Sequence, residues 1–337
     1  MNIFLTGGTG FIGKALLKKL VSKGFFVKAL ARSEEGGKEM EALGAQAVIG
    51  SLEKAQKDWL SNIDVVYHLG AIRYEWGFSP YEYQKVNVEA TQKLLEYSLS
   101  NRAKHFILGS TVFVFGSPKK IPIDESYPYA PESQYAQSKA EAEKLVKKFG
   151  QKTNLQTTIL RPTITYGPGD TKGMLLKLCH LIEAKKFILV GNGKNLVHLT
   201  HIDDVVNGFA LALESKKKES DYIIASSQPI PLENLVKIVS QELGKKIWPG
   251  KIPIFLAKTA GLIFESFYHF GKFAGGTTAL FRKEPLVTRS KVNILTGNRA
   301  YAIKKASQEL RYNPQTDYPE GIKRTIQWYK QNGFLST

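Results

Sequence analysis

Thr6-Gly-Gly-Thr-Gly-Phe-Ile-Gly13 closes the apolar run Asn2–Thr6 and opens an amphipathic stretch, Gly13–Lys23, with Leu16, Leu17 and Leu20 on one side. Its glycines fall at 7, 10 and 13. Between a strand and a helix the first permits a tight turn, the second lets a pyrophosphate approach the backbone, and the third lets the helix pack against the strand. The N–H groups that start the helix, at Phe11 and Ile12, then face an anion together with the helix dipole. Glycines at this spacing often mark only a turn. Here a strand precedes them and a second apolar run, Phe26–Leu30, follows, so a bound dinucleotide is the expectation.

Outward from that turn, short apolar runs alternate with helical patterns: Ala47–Ile49, Val65–Leu69, Phe106–Leu108 and Thr157–Leu160 read as buried strands, and Asn87–Ser98 as a helix. Right-handed crossovers then give an α/β fold, a Rossmann-type doubly wound parallel sheet. After Pro162 the pattern changes. Met174–Lys185 reads as a helix, Asp203–Leu213 as another with Asp203 or Asp204 as its N-cap, and Asp221–Ala225 as a further strand. From Pro229 on, helices and loops are punctuated by Pro231, Pro249, Pro253, Pro285, Pro314 and Pro319. The expected organisation is a dinucleotide-binding domain at 1–165, with 199–225 returning to it. A smaller, discontinuous C-terminal substrate domain comes mainly from 166–198 and 226–337.

Composition bounds the function. With 43% hydrophobic and 23% charged residues the chain should fold around a packed core. Cys179 is the only cysteine, which excludes an internal disulfide and fits a reducing, cytoplasmic setting. No signal peptide is evident, and no stretch reaches the roughly 18 apolar residues of a membrane span. The net charge of +17 has three readings: a phosphate-rich ligand, an anionic membrane surface, or nucleic acid. Its lysines are scattered over polar helix faces and no nucleic-acid signature accompanies them, so no nucleic-acid partner is expected.

Which dinucleotide is bound depends on the end of the second strand, where a carboxylate selects NAD and a cation NADP. Ala31 and Arg32 stand there, followed by Ser33, which favours NADP; NAD remains the alternative if Glu34 or Glu35 reaches the ribose. Farther on, Tyr135 and Lys139 are four apart on one helix face, so a phenol and an ammonium can point into one site. A nearby ammonium and an oxidised nicotinamide both favour the phenolate, bringing a tyrosine into working range as an acid–base group. Upstream, Gly109-Ser-Thr-Val-Phe-Val-Phe-Gly116 puts the hydroxyls of Ser110 and Thr111 at the carboxyl edge of the fifth strand.

With these motifs in this order, the sequence resembles the extended short-chain dehydrogenase/reductases, the epimerase/dehydratase family with its 3β-hydroxysteroid dehydrogenase and dihydroflavonol reductase-like branch. The resemblance spans nearly the whole chain and includes His68-Leu-Gly-Ala71, Asn87-Val-Glu-Ala-Thr91, Arg161-Pro162 and His201-Ile-Asp-Asp-Val205. It implies that Tyr135 is the general acid/base, that Lys139 binds the nicotinamide ribose and lowers the tyrosine pKa, and that Thr111 hydrogen-bonds the substrate oxygen. Thr111 rather than Ser110 matches the family's hydroxyl position relative to Gly116. The implied cofactor contacts are Gly7, Thr9, Gly10, Phe11, Ile12, Gly13, Arg32, Ser51, Leu52, Leu69, Gly70, Ala71, Tyr135, Lys139, Pro162 and Thr163. A homodimer packed through the helices of Asn87 and Tyr135 is a further implication. Two departures stand out: Gly50-Ser51-Leu52 lacks the family's usual aspartate, and Phe115 replaces a tyrosine.

The cluster His198, His201, Asp203 and Asp204 fits no familiar metal spacing, so no metal is expected. Asn87 is expected to organise its surroundings rather than react. Ile252–Gly276 is crowded with Phe255, Leu256, Leu262, Ile263, Phe264, Phe267, Tyr268, Phe270 and Phe273. A buried helix, an apolar lid over a lipophilic substrate, or a helix resting on a membrane each explain it. Arg282, Arg289 and Arg299 form no evident diphosphate site. The expected activity is therefore hydride transfer between nicotinamide and a lipophilic secondary alcohol or ketone. A nucleotide-sugar epimerase or dehydratase is the alternative, and a non-catalytic redox sensor or scaffold the third reading.

Overall fold

In the computed structural model, residues 1–73, 77–247, 250–273 and 288–336 are described. Pro249, Gly276, Arg282 and Pro285 lie outside the described residues, as do the side chains of Phe270 and Phe273. Seven parallel strands form the central sheet: β1 (Asn2–Thr6), β2 (Phe26–Ala31), β3 (Gln46–Ile49), β4 (Val65–His68), β5 (His105–Gly109), β6 (Gln156–Pro162) and β7 (Glu219–Ile224). Their order is β3-β2-β1-β4-β5-β6-β7, so the winding reverses between β1 and β4. A crevice opens outside the carboxyl ends of the strands at such a reversal.

The near-continuous apolar strands follow from helices on both faces. Ile3, Leu5, Tyr67, Ile107 and Leu160 point to one face, where they meet Leu16, Leu17 and Leu20 of α1 (Phe11–Ser22) and Val205 and Phe209. Phe4, Val66, Phe106 and Ile159 point to the other, against Leu94, Leu95, Ala142 and Val146. The helices α2 (Glu34–Glu41), α3 (Ala90–Ser100), α4 (Gln134–Lys152), α5 (Met174–Glu183) and α6 (Ile202–Leu211) come next in the chain. They are followed by α7 (Leu232–Leu243), α8 (Ile254–Phe273), α9 (Arg289–Thr296), α10 (Lys304–Leu310) and α11 (Tyr318–Gln331). A separate apolar cluster joins α5, α7 and α11 through Leu175, Cys179, Leu235, Val239, Ile322 and Tyr329. The chain also returns to the sheet late, where Ala306, Leu310 and Tyr312 join the core under β7.

Two local expectations are corrected. The N-cap of α6 is His201, whose ring accepts from the Asp203 N–H at 3.3 Å; Asp203 and Asp204 lie in the first turn, where the helix dipole favours carboxylates. The helix expected from Asn87 begins at Pro80 and runs through a π-helical turn, Gln84–Glu89, into α3. Of the three readings of the aromatic segment, the exposures of α8 go against only the buried one: Phe255 is 67% and Ile263 63% exposed. Its polar residue Glu265 is held by Arg289, whose N–H and Nε each donate to it at 2.7 Å.

Candidate active site

The glycine turn is built by exclusion. Gly7 has φ +75°, and a Cβ there would meet the Gly70 nitrogen at 2.8 Å, so β1 and β4 approach through bare backbone. A Cβ on Gly13 would lie 2.0 Å from the Gly7 oxygen, which is what brings α1 down onto the turn. No side chain caps α1, whose N-cap is Gly10. Its first N–H groups, those of Phe11 and Ile12, are therefore left for an anionic ligand. These features fit a dinucleotide pyrophosphate.

The other expected cofactor residues follow the carboxyl ends of the strands or the glycine turn. Thr9 meets the start of α2, since a Cβ on Gly36 would lie 3.1 Å from its methyl carbon. Exposed Arg32 follows β2, and Ser33 caps α2, its hydroxyl accepting from the Gly36 N–H at 3.2 Å. Ser51 and Leu52 follow β3, with Leu52 packed at Gly70, and Leu69, Gly70 and Ala71 follow β4. Pro162 ends β6, and Thr163 beyond it is fixed by a 2.6 Å hydrogen bond to Thr200.

A directed hydrogen-bond chain ties this turn to the helix of Tyr135. The Gly70 N–H donates to Thr6 Oγ1 at 3.0 Å, and Thr91 Oγ1 donates to the Asn87 carbonyl at 2.7 Å. His68 lies between them, 2.7 Å from Thr6 Oγ1 through Nδ1 and 2.9 Å from Thr91 Oγ1 through Nε2. Thr91, donating to the Asn87 carbonyl, accepts from Nε2–H, and with the buried ring neutral Nδ1 accepts from the Thr6 hydroxyl. Burial pushes its pKa down to about 3, helped by the Lys139 charge. The Asn87 amide then clamps Ile72, accepting from its N–H at 2.8 Å and donating to its carbonyl at 2.9 Å. It also donates to Ser138 Oγ at 2.9 Å, and that hydroxyl donates to the Tyr135 carbonyl at 2.8 Å. The π-helical turn carries Asn87 into this position, a common use of such turns at functional sites.

On α4, Tyr135, Lys139, Glu143 and Lys147 form a stripe at intervals of four residues. The hydroxyl of Thr111, two residues beyond β5, acts on the Tyr135 phenol and lowers its pKa. Burial pushes the phenol up to about 12, against the charge of Arg73 and the effect of the Thr111 hydroxyl. Lys139 itself is 2% exposed, and burial takes it down to about 8 against the pull of Glu143.

Ser110 faces away from this pair. Its hydroxyl donates to buried Glu143, which also accepts from Arg161 (Nε at 3.0 Å, Nη2 at 2.7 Å) and from the Tyr129 hydroxyl at 2.8 Å. Arg161 Nη2 also donates to Asp221 at 3.0 Å, and Asp221 accepts from Lys147 and Lys305. Sequence reasoning missed this network, although a lone glutamate in the Tyr135–Lys147 stripe was a signal for it. In the cluster where no metal is expected, His198 and Asp204 bind backbone groups. His198 lies 3.0 Å from the Ser226 carbonyl and accepts from the Tyr301 N–H at 3.2 Å, and Asp204 accepts from the N–H groups of Gln315 and Thr316.

Three comparisons bear on this geometry. The model of the NAD dependent epimerase/dehydratase family matches residues 3–225. A ketoreductase of Stigmatella aurantiaca acting on 4-hydroxy-2-methyl-3-oxo-4-farnesyl-3,4-dihydroquinoline-1-oxide is 31% identical over 273 residues, covering 80% of this chain and 81% of its own. A 2-alkyl-3-oxoalkanoate reductase of Stenotrophomonas maltophilia is 28% identical over 96% of this chain and 98% of its own. Among solved structures, UDP-glucuronic acid 4-epimerase from Bacillus cereus in complex with NAD superposes with a TM-score of 0.78 at 23% identity, covering 98% of this chain and 99% of its own.

Proposed function

This chain belongs to the NAD dependent epimerase/dehydratase family and is an enzyme of the extended short-chain dehydrogenase/reductase type; from that premise we propose that it reduces or oxidises a lipophilic ketone or secondary alcohol with NADP. The observation that carries the proposal is the placement of Tyr135 at the head of α4, one helical turn from buried Lys139, with buried Thr111 just beyond the carboxyl end of β5. The nicotinamide, when bound, supplies or accepts the hydride. Tyr135 exchanges the proton with the substrate oxygen, Thr111 orients that oxygen, and Lys139 holds the nicotinamide ribose. Burial keeps the phenol protonated, the form needed to donate a proton in reduction. Gly7 to Gly13 and Leu69 to Ala71 hold the pyrophosphate side, Ser51 and Leu52 the adenine, and Pro162 and Thr163 the carboxamide.

For NADP the support is Arg32, a guanidinium at the end of β2, where Ala31 stands in place of a carboxylate. A lipophilic substrate is supported by the ketoreductase and oxoalkanoate reductase relatives, whose names state farnesyl and alkyl substituents. The lobe built on α5, α7 and α11 is the proposed substrate side. A diphosphate subsite gains little from the arginines there: Arg289 is bound by Glu265, and buried Arg299 donates to the Asn293 carbonyl at 3.1 Å. The test is ligand-dependent thermal shift with dissociation constants for both cofactors. Lipophilic ketones with NADPH should stabilise the protein, and Arg32→Ala should weaken NADPH binding about 10-fold or more. Stabilisation by UDP-sugars alone would establish the epimerase reading, and tighter binding of NAD would remove the NADP preference.

The reading extends to where such a substrate is met. Phe255, Leu256, Ile263 and Phe264 expose one broad apolar face of α8, while Lys258 and Glu265 lie on the other side. From 244 to 273 the sequence has five lysines and one glutamate, and Glu265 is already paired with Arg289. An apolar face with this charge suits an anionic lipid surface. Among the described residues no helix is long and apolar enough to cross a membrane. Flotation should therefore show binding to vesicles containing phosphatidylglycerol, lost in Phe255→Glu/Ile263→Glu; binding unchanged in that variant would exclude α8 as the contact.

A further inference from the structure

Glu143 gathers the segments that carry the proposed reacting groups. Fully buried on α4, one helical turn beyond Lys139, it accepts from Arg161, from the Tyr129 hydroxyl at 2.8 Å and from Ser110 Oγ. Arg161 immediately precedes Pro162 and Thr163 at the end of β6, and Ser110 immediately precedes Thr111 beyond β5. The Arg161 guanidinium is buried and also bonded to Asp221, so it holds the Glu143 carboxylate as a fixed point. Thr111 needs such a point. Its hydroxyl is oriented locally, since it accepts from the Phe113 N–H at 3.2 Å, but that bond does not say where the 110–111 backbone sits. The Ser110 N–H donates to the Leu160 carbonyl at 2.7 Å, which fixes the segment against β6 within the sheet. A bond in that direction leaves shifts along the sheet normal, toward or away from the helix layer, unrestrained. Strand side chains stand roughly perpendicular to the sheet, and the Ser110 hydroxyl, donating to Glu143 on α4, supplies the missing restraint.

We infer that Ser110 is a positioning residue for the reaction: through Glu143 it sets the height of Thr111 against α4, and so the place of the substrate oxygen relative to Tyr135 and Lys139. This rests on the reading of Thr111, Tyr135 and Lys139 given above. Ser110 touches neither substrate nor cofactor, and the proton still passes from Tyr135 to the substrate oxygen as the hydride arrives. What changes without its hydroxyl is the geometry of that transfer. A misplacement of about 1 Å costs on the order of 100-fold in rate. The lipophilic part of the substrate still binds, so the loss belongs in kcat and leaves KM and cofactor affinity nearly alone.

The experiment uses the full chain, NADPH and the best-reduced member of a panel of aryl ketones, long-chain alkyl ketones and 2-alkyl-3-oxo esters. Ser110→Ala deletes one hydroxyl and leaves Glu143 its bonds to Arg161 and Tyr129. Its kcat, expressed per NADPH-binding site so that unfolded molecules drop out, should fall about 10- to 100-fold, with KM and the NADPH dissociation constant within about twofold of wild type. Ser110→Thr keeps the hydroxyl and should recover most of the rate, and Ser110→Cys, a weaker donor of similar shape, should fall between them. The deciding arm is the pair with Thr111→Val. With no Thr111 hydroxyl left to position, adding Ser110→Ala should cost less than about twofold more. An unchanged kcat in both Ser110→Ala and Ser110→Cys, a loss confined to KM, or full additivity with Thr111→Val would each overturn the inference while leaving ketone reduction intact. Reduction of no panel member by the wild type, with stabilisation by UDP-sugars alone, would remove the underlying reading and the inference with it.

Discussion

Replacing Tyr135 by phenylalanine lowers kcat for ketone reduction about 100- to 10,000-fold, the range contributed by a positioned acid–base group. That is about 3–5 kcal/mol of barrier. NADPH binding should be little changed, because the pyrophosphate and adenosine contacts come from the ends of β1 to β4. The substitution removes one hydroxyl and keeps the ring, so the packing of α4 and the Ser138 bond to its carbonyl survive. Thr111 also keeps its place, accepting from the Phe113 N–H at 3.2 Å. The measurement pairs steady-state turnover with a fluorescence titration of NADPH. A variant that keeps more than about a tenth of wild-type turnover would show that another group moves the proton.

Much of this site was legible because its signals are local. The glycine turn needs only the spacing of residues 7, 10 and 13 after a strand, and β/α alternation then dictates the rest of the sheet. Tyr135 and Lys139 are also a local signal, four apart on one helix. What the sequence did not disclose depends on partners far along the chain. Glu143 meets Arg161 and Ser110, and Asn87 meets Ile72 and Ser138, through side-chain contacts that no short motif records. The π-helical turn was equally hidden, since the apolar positions at Val88, Leu94 and Leu95 suit an ordinary helix. The choice among the readings of α8 was open for a different reason. Apolar periodicity says that a face exists and nothing about whether the protein covers it.

The buried ion network should dominate stability. Glu143→Gln should destabilise the fold by about 3–5 kcal/mol, the usual cost of leaving a buried charge without its partner. Arg161 is fully buried, and its Nη1 has no hydrogen-bond partner among the described residues; the guanidinium carbon lies 5.0 Å from the Phe115 ring. Losing the Glu143 charge leaves that guanidinium with Asp221, which Lys147 and Lys305 already share. Replacing both partners, Glu143→Leu with Arg161→Met, removes the charges together and should recover most of the loss. Urea midpoints at constant m compare both variants with the wild type, and a Glu143→Gln loss below about 1 kcal/mol would show the pair to be solvated. Acid provides an independent check. Burial raises the Asp221 pKa, but Arg161 first and then the lysines hold it well below the carboxylate range. A depressed carboxyl stabilises the fold above its unfolded pKa, and that stabilisation is lost as pH falls through the folded value. Removing Arg161 raises the folded value, so Arg161→Met should lose stability at a higher pH on acidification than the wild type does. A stability profile that stays parallel between the two from pH 6 down to pH 3 would mean that Arg161 does not hold the Asp221 charge.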